Sequence, residues 1–172
     1  MKLLRLIPSL LLPLLLSAQN NTKDNWPDWS FLLGEWTAGD NSGVPGQASK
    51  GSFSLAPDLG GTVLLRKNHA EYPPAGGRPA IVHDDLMIIY RENGLTKAFY
   101  DDNEGHAIHY GVTFSPDKKR IVFLSENSSG PQYRLTYEDL QLGVAKVLFE
   151  IAPAAKPEQF AKYVEAVVHR KT

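Results

Sequence analysis

Phe31-Leu32-Leu33-Gly34-Glu35-Trp36 is the stretch on which the reading of this chain turns. Upstream of it, Trp26-Pro27-Asp28-Trp29-Ser30-Phe31-Leu32-Leu33 carries apolar residues at 26, 29, 32 and 33, close to helical spacing, with Pro27 where a helix start tolerates it. Gly34 can end such a turn, and Glu35-Trp36-Thr37-Ala38 then opens a first strand. Downstream, segments near 49–56, 61–72, 82–92, 95–102, 106–115, 119–127, 131–138, 143–151 and 161–170 are rich in Val, Ile, Leu, Phe, Tyr and Thr. Turn clusters separate them: Asp58-Leu59-Gly60-Gly61, Glu92-Asn93-Gly94, Asp102-Asn103-Glu104-Gly105, Ser115-Pro116-Asp117 and Ser128-Ser129-Gly130-Pro131. Asn93-Gly94 is the strongest hairpin signal, because both residues accept the positive φ of a tight turn.

Turns spaced about ten to twelve residues apart predict an antiparallel meander, and no segment has room for the crossover helix of a parallel sheet. An open meander exposes unpaired edges. The expected fold is therefore all-β: a single antiparallel up-and-down barrel of about eight to ten strands. A short N-terminal helical turn leads into it, and Pro157-Glu158-Gln159-Phe160 suggests one further helical turn before the last strand. Tyr72 to Pro79, with Pro73, Pro74, Gly76, Gly77 and Pro79, cannot be strand interior. It reads as a connection at one mouth, with a lid as the alternative. Leu86, Ile88 and Tyr90 face opposite to Met87, Ile89 and Arg91, and both faces are partly apolar, so alternation alone does not assign the lumen.

The first residues have another layout. Lys2 and Arg5 precede an apolar stretch from Leu6 to Leu16, followed by the small pair Ser17-Ala18 and the polar Gln19-Asn20-Asn21. This predicts a secretory leader over 1–18, a flexible tether over 19–25 and a barrel domain over 26–172. About eleven apolar residues broken by Pro8 and Pro13 fall short of the roughly 20 that span a bilayer, so no transmembrane segment is expected after leader removal. The implied compartment is periplasmic or extracellular. The remaining length suits one domain able to bury a self-sufficient core. The sequence contains no cysteine, which excludes disulfides, thiolate metal sites and cysteine nucleophiles. Loss of Lys2 and Arg5 takes the formal charge from −1 to −3, too weak to suggest a nucleic-acid partner. Asn20-Asn21-Thr22 and Asn127-Ser128-Ser129 match the glycosylation sequon.

Gly34-Glu35-Trp36 resembles the Gly-x-Trp element that begins the first strand of lipocalins, whose Trp is covered by an Arg of the final strand. Arg170, in Val167-Val168-His169-Arg170-Lys171, stands where that partner is expected. The family's Thr-Asp-Tyr turn and its disulfide are missing. The chain thus resembles an outlying member of the calycin superfamily, similar to uncharacterised lipocalin-like domains of exported bacterial proteins. His83-Asp84-Asp85-Leu86-Met87 and Asp102-Asn103-Glu104-Gly105-His106 look like part of that pattern. The resemblance implies a barrel holding one small ligand, with Gly34, Trp36 and Arg170 closing its floor.

No Gly-x-Ser-x-Gly, phosphate-cradling loop or His-Glu-x-x-His is present, and no catalytic residue is assigned. Tyrosines offer an apolar body with a hydroxyl handle, suited to an amphipathic ligand. The candidate ligand-binding residues are His69, Tyr90, Tyr100, His109 and Tyr133. The expected partner is a small hydrophobic or amphipathic molecule, with no cofactor or metal predicted and the oligomeric state left open. Two alternatives stand beside this reading. One is a barrel enzyme, or a haem or zinc protein, using His/Asp residues at one mouth. The other is a filled barrel that binds a protein through its outer surface.

Overall fold

The structure, a computed structural model, describes residues 25–39, 48, 50–126 and 129–172. The leader 1–18, most of the tether and both sequon asparagines, Asn20 and Asn127, lie outside the described residues. Ten strands follow a 3-10 turn at Pro27–Trp29: β1 (Gly34–Ala38), β2 (Lys50–Asp58), β3 (Val63–Tyr72), β4 (Ile81–Glu92), β5 (Leu95–Asp102), β6 (Ala107–Phe114), β7 (Arg120–Ser125), β8 (Gln132–Gln141), β9 (Val144–Ala152) and β10 (Ala161–Arg170). Each pairs antiparallel with the next, and β1 closes the ring on β10 through Trp36↔Arg170, Thr37↔His169 and Ala38↔Val168. Closure removes the edges that an open meander of this composition would expose. No helix among the described residues is long and apolar enough to cross a membrane.

Tight turns carry the meander. Asn93 (φ 52°) and Gly94 (φ 78°) both take the left-handed conformation that matches hairpin twist. Gly76 (φ 57°) and Gly77 (φ 79°) do the same at the tip of the β3–β4 connection, bracketed by an Ala75↔Arg78 bridge. The proline-rich 72–79 stretch is thus a short connection folded on itself. The helical turn expected at 157–160 is absent. Two successive reverse turns replace it, Lys156 N–H to Pro153 O (2.8 Å) and Gln159 N–H to Lys156 O (3.0 Å). Pro157 takes the second position of the later turn, where its fixed φ suits a reverse turn as well as a helix start. The turn cluster at 58–61 folds as a second 3-10 turn, Leu59–Gly61, and Asp58 caps it by accepting from Leu59 N–H.

Register assigns the lumen where alternation could not. Met87 and Ile89 are fully buried and face inward, leaving Leu86 on the outer wall. Ile121, Phe123 and Ser125 face inward and Leu124 outward. The core runs through Trp29, Trp36, Phe53, Tyr110, Phe123 and Tyr137, whose rings meet edge-on, tilted or stacked at 5.6 to 6.1 Å.

The N-terminal turn seals one end. Trp26 donates from Nε1 to Gly61 O (2.9 Å) beneath the Arg91 guanidinium, 4.2 Å from its ring. Trp29 packs edge-on against Phe114. Trp36 donates to Leu32 O (2.8 Å), and the Arg170 guanidinium sits 4.7 Å from its ring while donating to Phe31 O (2.6 Å) and Leu33 O. Gly34 has φ 117°, and a Cβ there would come 3.1 Å from the Arg170 side chain. The Gly-x-Trp spacing therefore has a local cause: glycine turns the chain under the guanidinium that covers the indole. Each buried indole accounts for about 3–5 kcal/mol when truncated to Ala.

Candidate functional site

The opposite end of the barrel is built differently on its two walls. On β3, β4 and β5 the inward positions carry Arg66, Asn68, His83, Asp85, Tyr100 and Asp102, placed side by side by the pairs Arg66↔Met87, Asn68↔Asp85, Ala70↔His83, Met87↔Tyr100 and Asp85↔Asp102. On β8, β9 and β10 the inward positions are Tyr133, Leu135, Val147, Phe149, Val164 and Ala166. Most of these remain only partly buried although they point into a closed barrel. Tyr133 and Phe149 stack with parallel rings 6.1 Å apart, and Tyr163 meets Phe149 edge-on. One wall is an apolar and aromatic shelf, the other a column of charge.

That column is continuous. Arg66 is 7% exposed and ion-paired with Asp85, which is 9% exposed. Asp85 Oδ2 lies 3.3 Å from His83 Nε2, and His83 Nδ1 bonds Glu104 at 2.8 Å. The Tyr100 hydroxyl lies 3.2 Å from His83 Nε2 and donates to Asp102 Oδ2 (2.9 Å). Asp102 also accepts from the backbone N–H groups of Glu104 and His106 and pairs with His106 Nδ1 at 2.8 Å. A hydrogen-bonded path therefore runs from the exposed His106 ring to a guanidinium in the barrel's middle.

Protonation states follow from these contacts. Bonding to Asp85, with help from Glu104 and against the effect of burial, pushes His83 up to about 9, so its ring is cationic at neutral pH and both nitrogens donate. Burial pulls Asp85 upward, but the Arg66 guanidinium and the His83 ring outweigh it and hold the carboxyl below its usual range. Asp102 is held low in the same way: burial opposes, while donors from His106, Tyr100 and Glu104 prevail. Burial, then Asp85 and Asp102, keep the Tyr100 phenol protonated.

Arg66 reaches across the barrel. Its guanidinium lies 5.5 Å from the Phe53 ring and 5.9 Å from the ring of Tyr137 on β8, five strands away in the ring of ten. It stands between the fully buried rings of Phe123 and Tyr137 and the less buried Tyr133, Val147 and Phe149. The buried Arg66 and Tyr137 side chains lie against each other, and the phenol supports the guanidinium's charge.

Tyr100 and Tyr133 line this upper lumen from opposite walls. His69, Tyr90 and His109 stand on the outer face instead. His69 pairs with Asp84 at 2.7 Å, Tyr90 alternates with the inward Ile89, and His109 packs against Phe99 at 5.1 Å. The five candidates are thus not brought to one place. Among the described residues, no group of three or more His, Cys, Asp or Glu side chains is arranged to hold a metal ion. Arg66 was not singled out from sequence, and His83, Asp85 and Asp102 were noted only within the strings 83–87 and 102–106 and as His/Asp residues of the alternative enzyme or metal reading. Their signal was parity: Arg66 shares the face of Leu64 and Ala70, and Asp85 that of Met87 and Ile89. In comparisons with known proteins, the chain matches no family model and no curated relative.

Proposed function

We propose that this protein is a calycin-like barrel, exported by a leader at 1–18, that holds a small amphipathic molecule in its upper lumen without transforming it. The observation that carries this reading is the asymmetry of the upper lumen. Val147, Phe149 and Val164 point inward yet stay partly accessible, opposite a buried column of charge. Apolar surface left open to water inside a closed sheet suits the hydrocarbon or aromatic part of a ligand, and polar groups on the facing wall suit its head. Tyr100 and Tyr133, one on each wall, contribute a hydroxyl and a ring.

The test is binding of the neutral dye N-phenyl-1-naphthylamine, followed by fluorescence, to the wild type and to Val164→Trp, which fills the lumen from β10. Expected is saturable binding that weakens at least tenfold in the variant while its unfolding midpoint holds. No binding, or equal binding by the variant, would overturn the reading.

A second reading has one specific support. The cationic His83 ring, beside the Tyr100 hydroxyl at the mouth, is a proton donor able to serve general acid catalysis on a ligand there. Turnover of a bound ester or enone that is lost in His83→Gln would favour the enzyme.

A further inference from the structure

We propose that the floor end of the barrel docks on a phospholipid bilayer, with leucines on three hairpin tips dipping into its zwitterionic headgroup region. The inference goes beyond ligand binding and shares with that reading only the leader.

Exposure singles out this end. Among the described residues, four leucines are half or more exposed: Leu59 (71%), Leu95 (62%), Leu140 (50%) and Leu142 (99%). One such leucine is ordinary. All four, however, sit at the β2–β3, β4–β5 and β8–β9 turns, on the end sealed by Trp26 and Trp36. Leu59 has φ 46°, a left-handed backbone that strains a leucine, and still holds its side chain in the open. A bulge between Asp139 and Gln141 takes Leu140 out of the β8–β9 ladder, close to Leu142. The three turns are two, four and four strands apart around the ring of ten, so the leucines form a tripod and not one continuous patch. A protein partner buries a continuous apolar core, whereas a fluid interface admits each side chain separately. The neighbouring cations Lys118, Arg120 and Lys171 are paired with Asp28, Glu138 and Glu35, so attraction to the surface is apolar and not ionic. The path of the chain supports the same occupant. Asn25 is fixed between two of the tips, donating to Gly61 O (3.3 Å) and accepting from Arg91. The proposed leader ends at Ala18, and the stretch from there to Asn25 spans at most about 25 Å. While the leader is in the bilayer, the leucine tips are therefore held beside it.

The experiment floats the chain 19–172, which carries the whole closed barrel, with dioleoylphosphatidylcholine vesicles on a density gradient. Expected is co-flotation that persists in about 0.5 M NaCl, where ionic attraction is screened. The triple variant Leu59→Ser, Leu95→Ser, Leu142→Ser should bind at least tenfold more weakly at an unchanged urea midpoint. Leu124→Ser, which alters an exposed leucine of the side wall, should float as the wild type does. Because the chain has no cysteine, a nitrobenzoxadiazole label on Leu142→Cys reports from that tip alone. Its emission should shift to the blue on vesicles, and the same label on Leu124→Cys should not. A triple variant that floats equally overturns the inference, as does flotation lost in salt, which would make the contact ionic. Wild type that stays unbound also overturns it, and a dimer that the triple variant loses would then assign the tips to a second copy. Dye binding and its loss in Val164→Trp are measured without vesicles, so the two readings fail separately.

Discussion

Replacing His83 by Gln tests whether the polar column carries a protonated ring. In the native protein the His83 pKa rises from 6.5 to about 9, chiefly because the ring bonds Asp85, with Glu104 on its other nitrogen. At about 1.36 kcal/mol per pH unit, the full shift corresponds to about 3 kcal/mol. The side chain is 21% exposed, and screening at the mouth reduces the expected contribution to about 1–2 kcal/mol. The sign follows from linkage. Between pH 6.5 and about 9 the folded protein binds a proton that the unfolded chain has released, so stability falls as pH rises. The contribution is complete below about pH 6.5 and gone above about pH 9. Urea unfolding of wild type and His83→Gln at pH 6, 7.5 and 9.5 isolates it, because His69, whose pKa is also raised by Asp84 and Glu71, titrates in both proteins. The wild type should lose about 1–2 kcal/mol more than the variant across that range. Parallel pH profiles would refute the argument, since a neutral His83 contributes no such slope.

Two other perturbations separate structure from function. Arg66→Met alone strips Asp85 of its guanidinium and leaves the His83 ring and Asn68 beside it, so urea unfolding should show a loss of about 3 kcal/mol. Arg66→Met with Asp85→Leu replaces the pair by apolar groups and should unfold within about 1 kcal/mol of wild type, or later; a loss above about 3 kcal/mol would make the pair a structural staple. Arg170→Met removes donors to Phe31 O and Leu33 O together with the cation over Trp36. It should cost about 2–3 kcal/mol in the same assay, with Arg170→Lys recovering part of it; a variant as stable as wild type would show that the indole needs no cover.

The parts of the barrel that could be read from sequence are those fixed by local chemistry. Asn93-Gly94 announces a turn because few other pairs take two left-handed residues, and both do so here. Gly34-Glu35-Trp36 announces the floor because the chain must bend beneath a large ring. Pro157 misled, since a proline's fixed φ suits the second position of a reverse turn as well as a helix start, and two reverse turns result. The lumen was illegible for a different reason. Leu86 and Leu124 sit outside, at 37% and 45% exposure, while Arg66 and Asp85 sit inside. Two apolar faces and an inward ion pair remove the contrast on which alternation depends. His69, Tyr90 and His109 drew attention as residue types, yet a strand's two-residue period sends them outward, and only cross-strand register reveals it.

The inward charges make sense once both walls are considered together. A barrel stabilised by packing alone would place Leu or Met at 66 and 85, since a buried ion pair rarely exceeds an apolar pair of similar volume in stability. Here Arg66 instead crosses the lumen between Phe53 and Tyr137, and the rings of Phe53, Tyr137 and Phe123 meet at 5.6 and 6.1 Å. Above it Tyr133, Val147 and Phe149 are left partly uncovered. The charge therefore stands where filling stops. Under the proposed ligand-binding reading, a polar partition at that depth would set how far an apolar ligand can sink.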